Sequence, residues 1–210
     1  RFTARNPPAA RQHSQARRKP CRNPRVVMTD SETQAPIPAW VDGVLVPADK
    51  LAVHRQGLRH QAVSVFVTDG KNILLQQRAM TKYHTPGLWA NTCCTHPHWG
   101  EPPQDCAIRR LQDELGIAGL RPQWTTQVEY RAEVGNEMTE HEVVDIFVAN
   151  ADTSLKLRAN PAEVMAVRWA CIADLQAEIA ESPEIFTPWF RIYLHEYHDI
   201  IFGRGTITAG

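Results

Sequence analysis

Residues 101–117 hold one amphipathic helix with both ends marked, set in a chain of short β-prone runs, and few folds accommodate that combination. Ala107, Ile108, Leu111 and Leu115 recur at the spacing that puts side chains on one helical face. Pro102 and Pro103 suit a first turn, where no N–H donor is needed, and Gly116 suits the left-handed residue that stops a helix. Before it, residues 61–68 (QAVSVFVT) and 72–78 (NILLQQR) read as strands joined in a hairpin by Asp69, Gly70 and Lys71. A polar loop over 81–87 leads to a further strand over 88–94. Beyond the helix, residues 123–133, 142–150 and 164–171 read as strands, with Glu140 and Glu142 at the mouth of the second. A helix over 172–181 follows, and Thr187-Pro188 opens another that runs to about Phe202. The order predicts an α/β fold of the α+β kind: a mixed, mostly antiparallel sheet sandwiched by helices.

A chain of 210 residues, 43% of them hydrophobic, is long enough for one well-buried domain and short for two. Its zero net charge hides two unlike pieces. Residues 1–27 carry eight Lys or Arg and no acidic residue, which leaves 15 of the 23 basic and all 23 acidic residues to 28–210. That acidic balance argues against a general nucleic-acid surface, while a local basic pocket for a phosphate stays open. The basic leader, rich in Pro, Arg, Gln and Asn, predicts disorder up to a natural start at Met28. It reads as translated upstream or vector-derived residue, as a transit-type leader, or as a nucleic-acid or membrane arm. Residues 203–210 read as a frayed tail. No apolar stretch reaches the roughly 20 residues of a membrane helix. Five cysteines, Cys21, Cys93, Cys94, Cys106 and Cys171, form an odd set without a framework, so free thiols in a reducing cytoplasm are expected.

The chemistry concentrates in residues 92–101 (TCCTHPHWGE) and in Glu140-His141-Glu142, which together offer a thiol, imidazoles and two carboxylates to one metal and one reacting carbon. Cys93 and Cys94 are adjacent, so on a strand they point to opposite faces and one alone can line a given pocket. With Trp89-Ala90-Asn91, Thr187-Pro188-Trp189 and the helix after Glu101, these segments resemble the type I isopentenyl-diphosphate isomerases, enzymes of the Nudix fold. The likeness covers residues 41–189. Aligned on Gly116, the Nudix box finds Glu101, Arg109, Leu111, Asp113, Glu114 and Ile117, but Thr95 where its first Gly belongs and Arg110 where a metal-binding Glu belongs. Trading a carboxylate for a guanidinium suits holding a diphosphate rather than cleaving it. The plain alternative is an Arg110–Glu114 pair at i,i+4.

The resemblance implies a Nudix-like domain over 28–210 and a shift of a double bond that turns isopentenyl diphosphate into dimethylallyl diphosphate. It implies one divalent metal, Zn²⁺, Mn²⁺ or Mg²⁺, on His54, His60, His96, Glu140 and Glu142. His54 and His60 stand six apart, one fewer than in the family. Cys94, Glu142 and Tyr130 are implied to handle protons and Trp189 to face a carbocation, while Trp89 reads as core packing before a second wall of the same cavity. Lys50, Arg78, Lys82 and Arg110 match the diphosphate-binding positions, and Glu114 the ligand of a Mg²⁺ that travels with the diphosphate. His84, His98, His141, His195 and His198 read as ordinary solvent-facing or hydrogen-bonding residues, and Cys93, Cys106 and Cys171 as small buried hydrophobes. A small-molecule isoprenoid diphosphate is the expected partner of a cytoplasmic monomer or weak homodimer that engages neither nucleic acid nor membrane. One rival is a Nudix-type diphosphohydrolase. The other is a zinc-binding module on Cys93, Cys94, His96 and His98, whose ligands are too crowded for a closed tetrahedral site.

Overall fold

The computed structural model describes residues 35–203; the basic leader, the start at Met28 and all but the first residue of the tail lie outside them. The chain opens with a hairpin absent from the expected elements. Strands β1 (Ile37–Val41) and β2 (Val44–Ala48) turn at Asp42 and Gly43, both with positive φ, the geometry that matches strand twist. Asp49 caps α1 (Lys50–Gln56) by accepting the Ala52 N–H at 2.8 Å, and left-handed Gly57 ends it.

Strand β3 (His60–Thr68) is the hub. It pairs in parallel with β8 (Met138–Asn150) from His60↔Glu142 to Thr68↔Asn150. Its other edge meets antiparallel partners in succession: β1 at His60, β6 (Cys93–Thr95) at residues 63–65 and β4 (Asn72–Arg78) at Thr68. Strands β5 (Trp89–Ala90) and β9 (Val164–Cys171) flank β4, and β7 (Gln123–Gly135) flanks β8. One parallel pair in an otherwise antiparallel sheet is the mixed arrangement the element order predicted.

β3 is apolar almost throughout because both its faces are covered. Val63, Val65 and Val67 pack against Ala107, Leu111 and Leu115 of α2 (Pro103–Leu115). Ala62 and Phe66 turn the other way, toward Phe190, Tyr193 and Leu194 of α4 (Pro188–Glu196), beside α3 (Ile172–Glu181). Gly116 closes α2 at φ 65°, and a Cβ there would lie 2.8 Å from Cβ and 2.9 Å from the carbonyl oxygen of Arg158, so space and backbone both demand glycine.

Three expected boundaries move. The strand over 88–94 divides into β5 and β6 because its neighbours β4 and β3 part company there. Thr92 Oγ1 accepts from Val67 N (2.8 Å) and donates to Leu74 O (2.6 Å), while Asn91 Nδ2 donates to Cys93 O (2.7 Å), so side chains satisfy backbone groups in the gap. β8 starts at Met138 after a two-residue turn at Asn136 and Glu137, which places Glu140 and Glu142 inside the strand rather than at its mouth. The last helix breaks at Tyr197 (φ −119°) into α4 and α5 (His198–Phe202), and Phe202 then lies edge-on to Phe66 at 5.3 Å.

Candidate metal centre and active-site cleft

Strand alternation and register assemble the site. His60 and Ser64 of β3 share the face that carries Phe66, and Glu140 and Glu142 of β8 share the face that carries Val144 and Ile146. Tyr130 of β7 stands opposite Glu142, Glu142 opposite His60, and Cys94 of β6 opposite Ser64. Four strands therefore contribute to one patch. The last turn of α1 adds His54, whose ring centroid lies 4.8 Å from that of His60, and the segment after β6 adds His96, 5.0 Å from each of the other two rings. The six-residue separation is long enough, because Gly57 reverses the chain between helix and strand.

His54 Nδ1–H donates to the Lys50 carbonyl at 2.6 Å and His60 Nδ1–H to the Leu58 carbonyl at 2.7 Å. With Nδ1–H so engaged, each ring turns its Nε2 inward, as a metal-ligating histidine does. Glu140 Oε2 lies 3.1 Å from His54 Nε2, 3.4 Å from His60 Nε2 and 4.0 Å from His96 Nε2. It is nevertheless a buried oxygen without a hydrogen bond. One ligand atom from each of His54, His60, His96 and Glu140 fits within a 4.8 Å spread, and Glu142 adjoins with Oε1 2.9 Å from His96 Nε2. Lone pairs and carboxylate oxygens gathered at these distances repel unless a positive charge sits among them. A divalent cation with nitrogen and oxygen ligands meets that need, so the donor set fits a metal.

Burial lowers the His60 pKa, but the Glu140 and Glu142 carboxylates outweigh it and push it up to about 10. Burial pushes His96 down to about 3. Glu140 is held well below the usual carboxylate range, its burial outweighed by the histidines around it.

The neighbouring thiol, hydroxyls and Glu142 carboxylate are interlinked. Tyr130 donates its hydroxyl to Glu142 Oε2 at 2.5 Å. Cys94 Sγ accepts from Ser64 Oγ at 3.2 Å, and Ser64 Oγ also meets Tyr193 OH at 3.0 Å. Burial, reinforced by the Glu142 charge, keeps both the Cys94 thiol and the Tyr130 phenol well above their ordinary pKa values. Cys93 points away, into the apolar layer under α2, with Sγ 3.3 Å from Glu114 Oε1. The two cysteines do divide between opposite faces.

A cleft with about 370 Å³ of empty volume, open solvent at its mouth included, is lined by Cys94, His96, Glu140 and Glu142 together with Lys50, Arg78, Lys82, Arg110 and Trp189. All four predicted basic residues thus border one space. Arg78 lies with its guanidinium carbon 5.2 Å from the centroid of the Trp189 ring. Arg110 is not the surface residue of the plain alternative: it is 4% exposed, yet it does pair with Glu114, at 2.8 Å. Glu114 stands behind the cleft wall, receiving Gln76 Nε2 on Oε2 and Arg110 on Oε1. Glu101 and Arg109 form a two-bond clamp, 2.6 and 2.7 Å, near the start of α2.

Four site residues escaped the sequence reading. Glu163 joins Lys82 and also approaches Arg110 at 3.4 Å. Ser64 and Tyr193 support Cys94. His84, read as an ordinary histidine, is buried with Nε2 3.0 Å from Glu140 Oε1. Alternation along β3 could have exposed Ser64, a hydroxyl between Ala62 and Phe66 on the face that also carries His60; nothing local marks the other three.

The NUDIX domain family model matches residues 58–190. An isopentenyl-diphosphate Delta-isomerase of Cereibacter sphaeroides is 59% identical over 168 residues, 80% of this chain and 95% of that protein. One from Ruegeria pomeroyi is 58% identical over 173 residues, covering 82% and 96%. Among solved structures, DR0079 from Deinococcus radiodurans superposes with a TM-score of 0.60 at 13% identity, over 77% of this chain and 97% of that one. A MutT NUDIX hydrolase from Burkholderia pseudomallei gives 0.51 at 24% identity, over 66% and 97%. These structural likenesses speak for the fold.

Proposed function

The chain belongs to the isopentenyl-diphosphate Delta-isomerases of the NUDIX domain family, and from that membership we propose which of its residues move the protons. It converts isopentenyl diphosphate to dimethylallyl diphosphate. The reaction adds a proton to the terminal methylene carbon, passes through a tertiary carbocation, and removes a proton from the carbon on the other side.

Cys94 and the Tyr130–Glu142 couple are the acid and base. The observation that carries this reading is their register: they reach one face of adjoining strands, and Cys94 and Glu142 line the same cleft. One rests as a thiol and the other as a carboxylate, so the two states that an acid–base pair requires are both present. Tyr130, donating to Glu142, keeps that carboxylate oriented and can carry its proton. Trp189 offers an aromatic wall to the cationic intermediate. Lys50, Arg78, Lys82 and Arg110 anchor the diphosphate.

His54, His60, His96, Glu140 and Glu142 would hold a divalent cation, with Zn²⁺, Mn²⁺ and Mg²⁺ all compatible with their nitrogen and oxygen atoms. Bound there, it would supply the charge that keeps Glu142 ionised and oriented. Glu114 is the candidate oxygen ligand for Mg²⁺ arriving with the substrate. No helix among the described residues is long and apolar enough to cross a membrane, and free thiols at Cys93, Cys94, Cys106 and Cys171 support a cytoplasmic location. We assign the working unit to a monomer or weak homodimer.

The test is incubation with isopentenyl diphosphate and Mg²⁺ in deuterated water, followed by NMR. Dimethylallyl diphosphate carrying deuterium, with loss of both label and turnover in Cys94→Ser and Glu142→Gln, is expected. Full turnover in Cys94→Ser would remove the thiol from the mechanism.

A further inference from the structure

We infer that His84 is a positioning residue for Glu140, gripping Oε1 so that Oε2 faces the other three imidazoles. The inference rests on the reading of His54, His60, His96 and Glu140 as a metal centre. A carboxylate only accepts hydrogen bonds, so the proton in the 3.0 Å contact between His84 Nε2 and Glu140 Oε1 belongs to the imidazole. Thr85 Oγ1 lies 3.0 Å from His84 Nδ1 and can donate to it, which makes the Nε2–H tautomer the one that satisfies both neighbours. His84 therefore offers no lone pair to the centre. It also reaches the oxygen opposite the one that His54 and His60 approach.

The loop that delivers His84 is built for the purpose. Arg78 donates Nη2–H to the His84 carbonyl and Nε–H to the Thr85 carbonyl, each at 3.2 Å. Asn136, at the tip of the β7–β8 turn, donates to the Tyr83 carbonyl at 3.0 Å. Thr85 itself holds φ +45°, a conformation that a β-branched residue adopts only under such restraint. Trp189 meets the His84 ring edge-on at 5.9 Å, and His54 stacks on it at 5.7 Å. A side chain of the proposed diphosphate wall, Arg78, thus fixes the loop that fixes a carboxylate of the metal centre.

The test uses the full-length protein and its His84→Leu, His84→Gln and His54→Leu variants. Zn²⁺ affinity is read by competition with a chromogenic chelator, and kcat and KM for isopentenyl diphosphate are measured separately. His84→Leu is expected to lose about 10–100-fold in Zn²⁺ affinity, as removal of an outer hydrogen bond to a metal ligand does. Turnover should fall with KM little changed, and His84→Gln, which restores an N–H donor at similar reach, should recover most of the affinity. Wild-type affinity in His84→Leu, with His54→Leu failing to bind, overturns the role of His84 and leaves the metal centre standing. A wild-type protein that takes up no Zn²⁺ overturns both. Should His84→Leu not fold, long-range ¹H–¹⁵N correlation on the Zn²⁺-loaded wild type decides: the Nε2–H tautomer is expected, and an Nδ1–H tautomer or an Nε2 bound to metal overturns the assignment.

Discussion

Two buried clusters of carboxylates, one lining the cleft and one behind its Arg110 wall, balance their charge by different means. In the Arg110 cluster, Glu114 receives two guanidinium N–H groups, and Glu163 holds Lys82 and approaches Arg110. Its countercharges are permanent side-chain cations. In the Glu140 cluster, imidazoles and the Tyr130 hydroxyl face the two carboxylates, and Glu140 Oε2 still has no hydrogen bond. One cluster is closed by side-chain cations, whereas the other presents a set of donor atoms that fits a metal. The difference teaches that burial alone does not fix how carboxylates are held: ion pairs neutralise one set, and the other keeps a buried oxygen with no hydrogen bond.

Chelation breaks the comparison most severely. Stripping divalent metal should abolish turnover and lower the melting temperature, with both restored by adding Zn²⁺, Mn²⁺ or Mg²⁺, while binding to N alone stabilises by roughly 3 kcal/mol at a hundredfold excess over Kd. A chelated protein with unchanged melting and turnover would show that the imidazole cluster closes without a cation. Next in size is Cys94→Ser, for which turnover should drop by about 10²–10⁴ with the fold and the metal content intact, as measured by NMR of the product and by metal analysis. Arg110→Met probes the other cluster. It leaves Glu114 buried beside a lost partner, so urea unfolding should report a destabilisation of about 3–5 kcal/mol, with Zn²⁺ affinity unchanged. A fall in Zn²⁺ affinity there would mean that the two clusters are one.

The smallest effect concerns the Glu101–Arg109 clamp. Although burial opposes it, the paired Arg109 lowers the Glu101 pKa below the ordinary carboxylate value. A depressed folded pKa stabilises the protein above the unfolded value, and the gain disappears as pH falls through the folded one. Glu101→Gln should therefore cost about 0.5–1 kcal/mol at pH 7, the range for a partly exposed pair, and nothing once the wild-type carboxyl is protonated. Melting curves at pH 7 and in acid would separate this loss from a metal effect, which Glu101 does not touch.

Much of the molecule is legible along the chain because the relevant physics is local. Periodicity and the end signals at Pro103 and Gly116 mark α2 to within a residue, and the apolar run over 61–68 marks the twice-covered β3. The β1–β2 hairpin went unseen, since its strands are five residues each with mixed exposure and carry little alternation. Residues 88–94 read as one strand because the division between β5 and β6 depends on where β3 and β4 diverge. Motif likeness brought His54, His60, His96, Glu140, Glu142, Cys94 and Tyr130 together as candidates. His84 stayed hidden among ordinary histidines because its partner, Glu140, lies 56 positions away and is reached through a loop that Arg78 shapes.

The sequence by itself determined the elements from β3 onward, the opposite facing of Cys93 and Cys94, and the basic, thiol and carboxylate groups of the cleft. Each follows from backbone period or side-chain chemistry, which neighbours in the chain suffice to set. The tertiary structure decided which charges are balanced and which are not. Glu163 comes within 3.4 Å of Arg110, and three imidazoles close on a Glu140 oxygen that has no hydrogen bond, because strand register and burial bring together residues far apart in the chain, and the cost of a buried charge depends on that distant company.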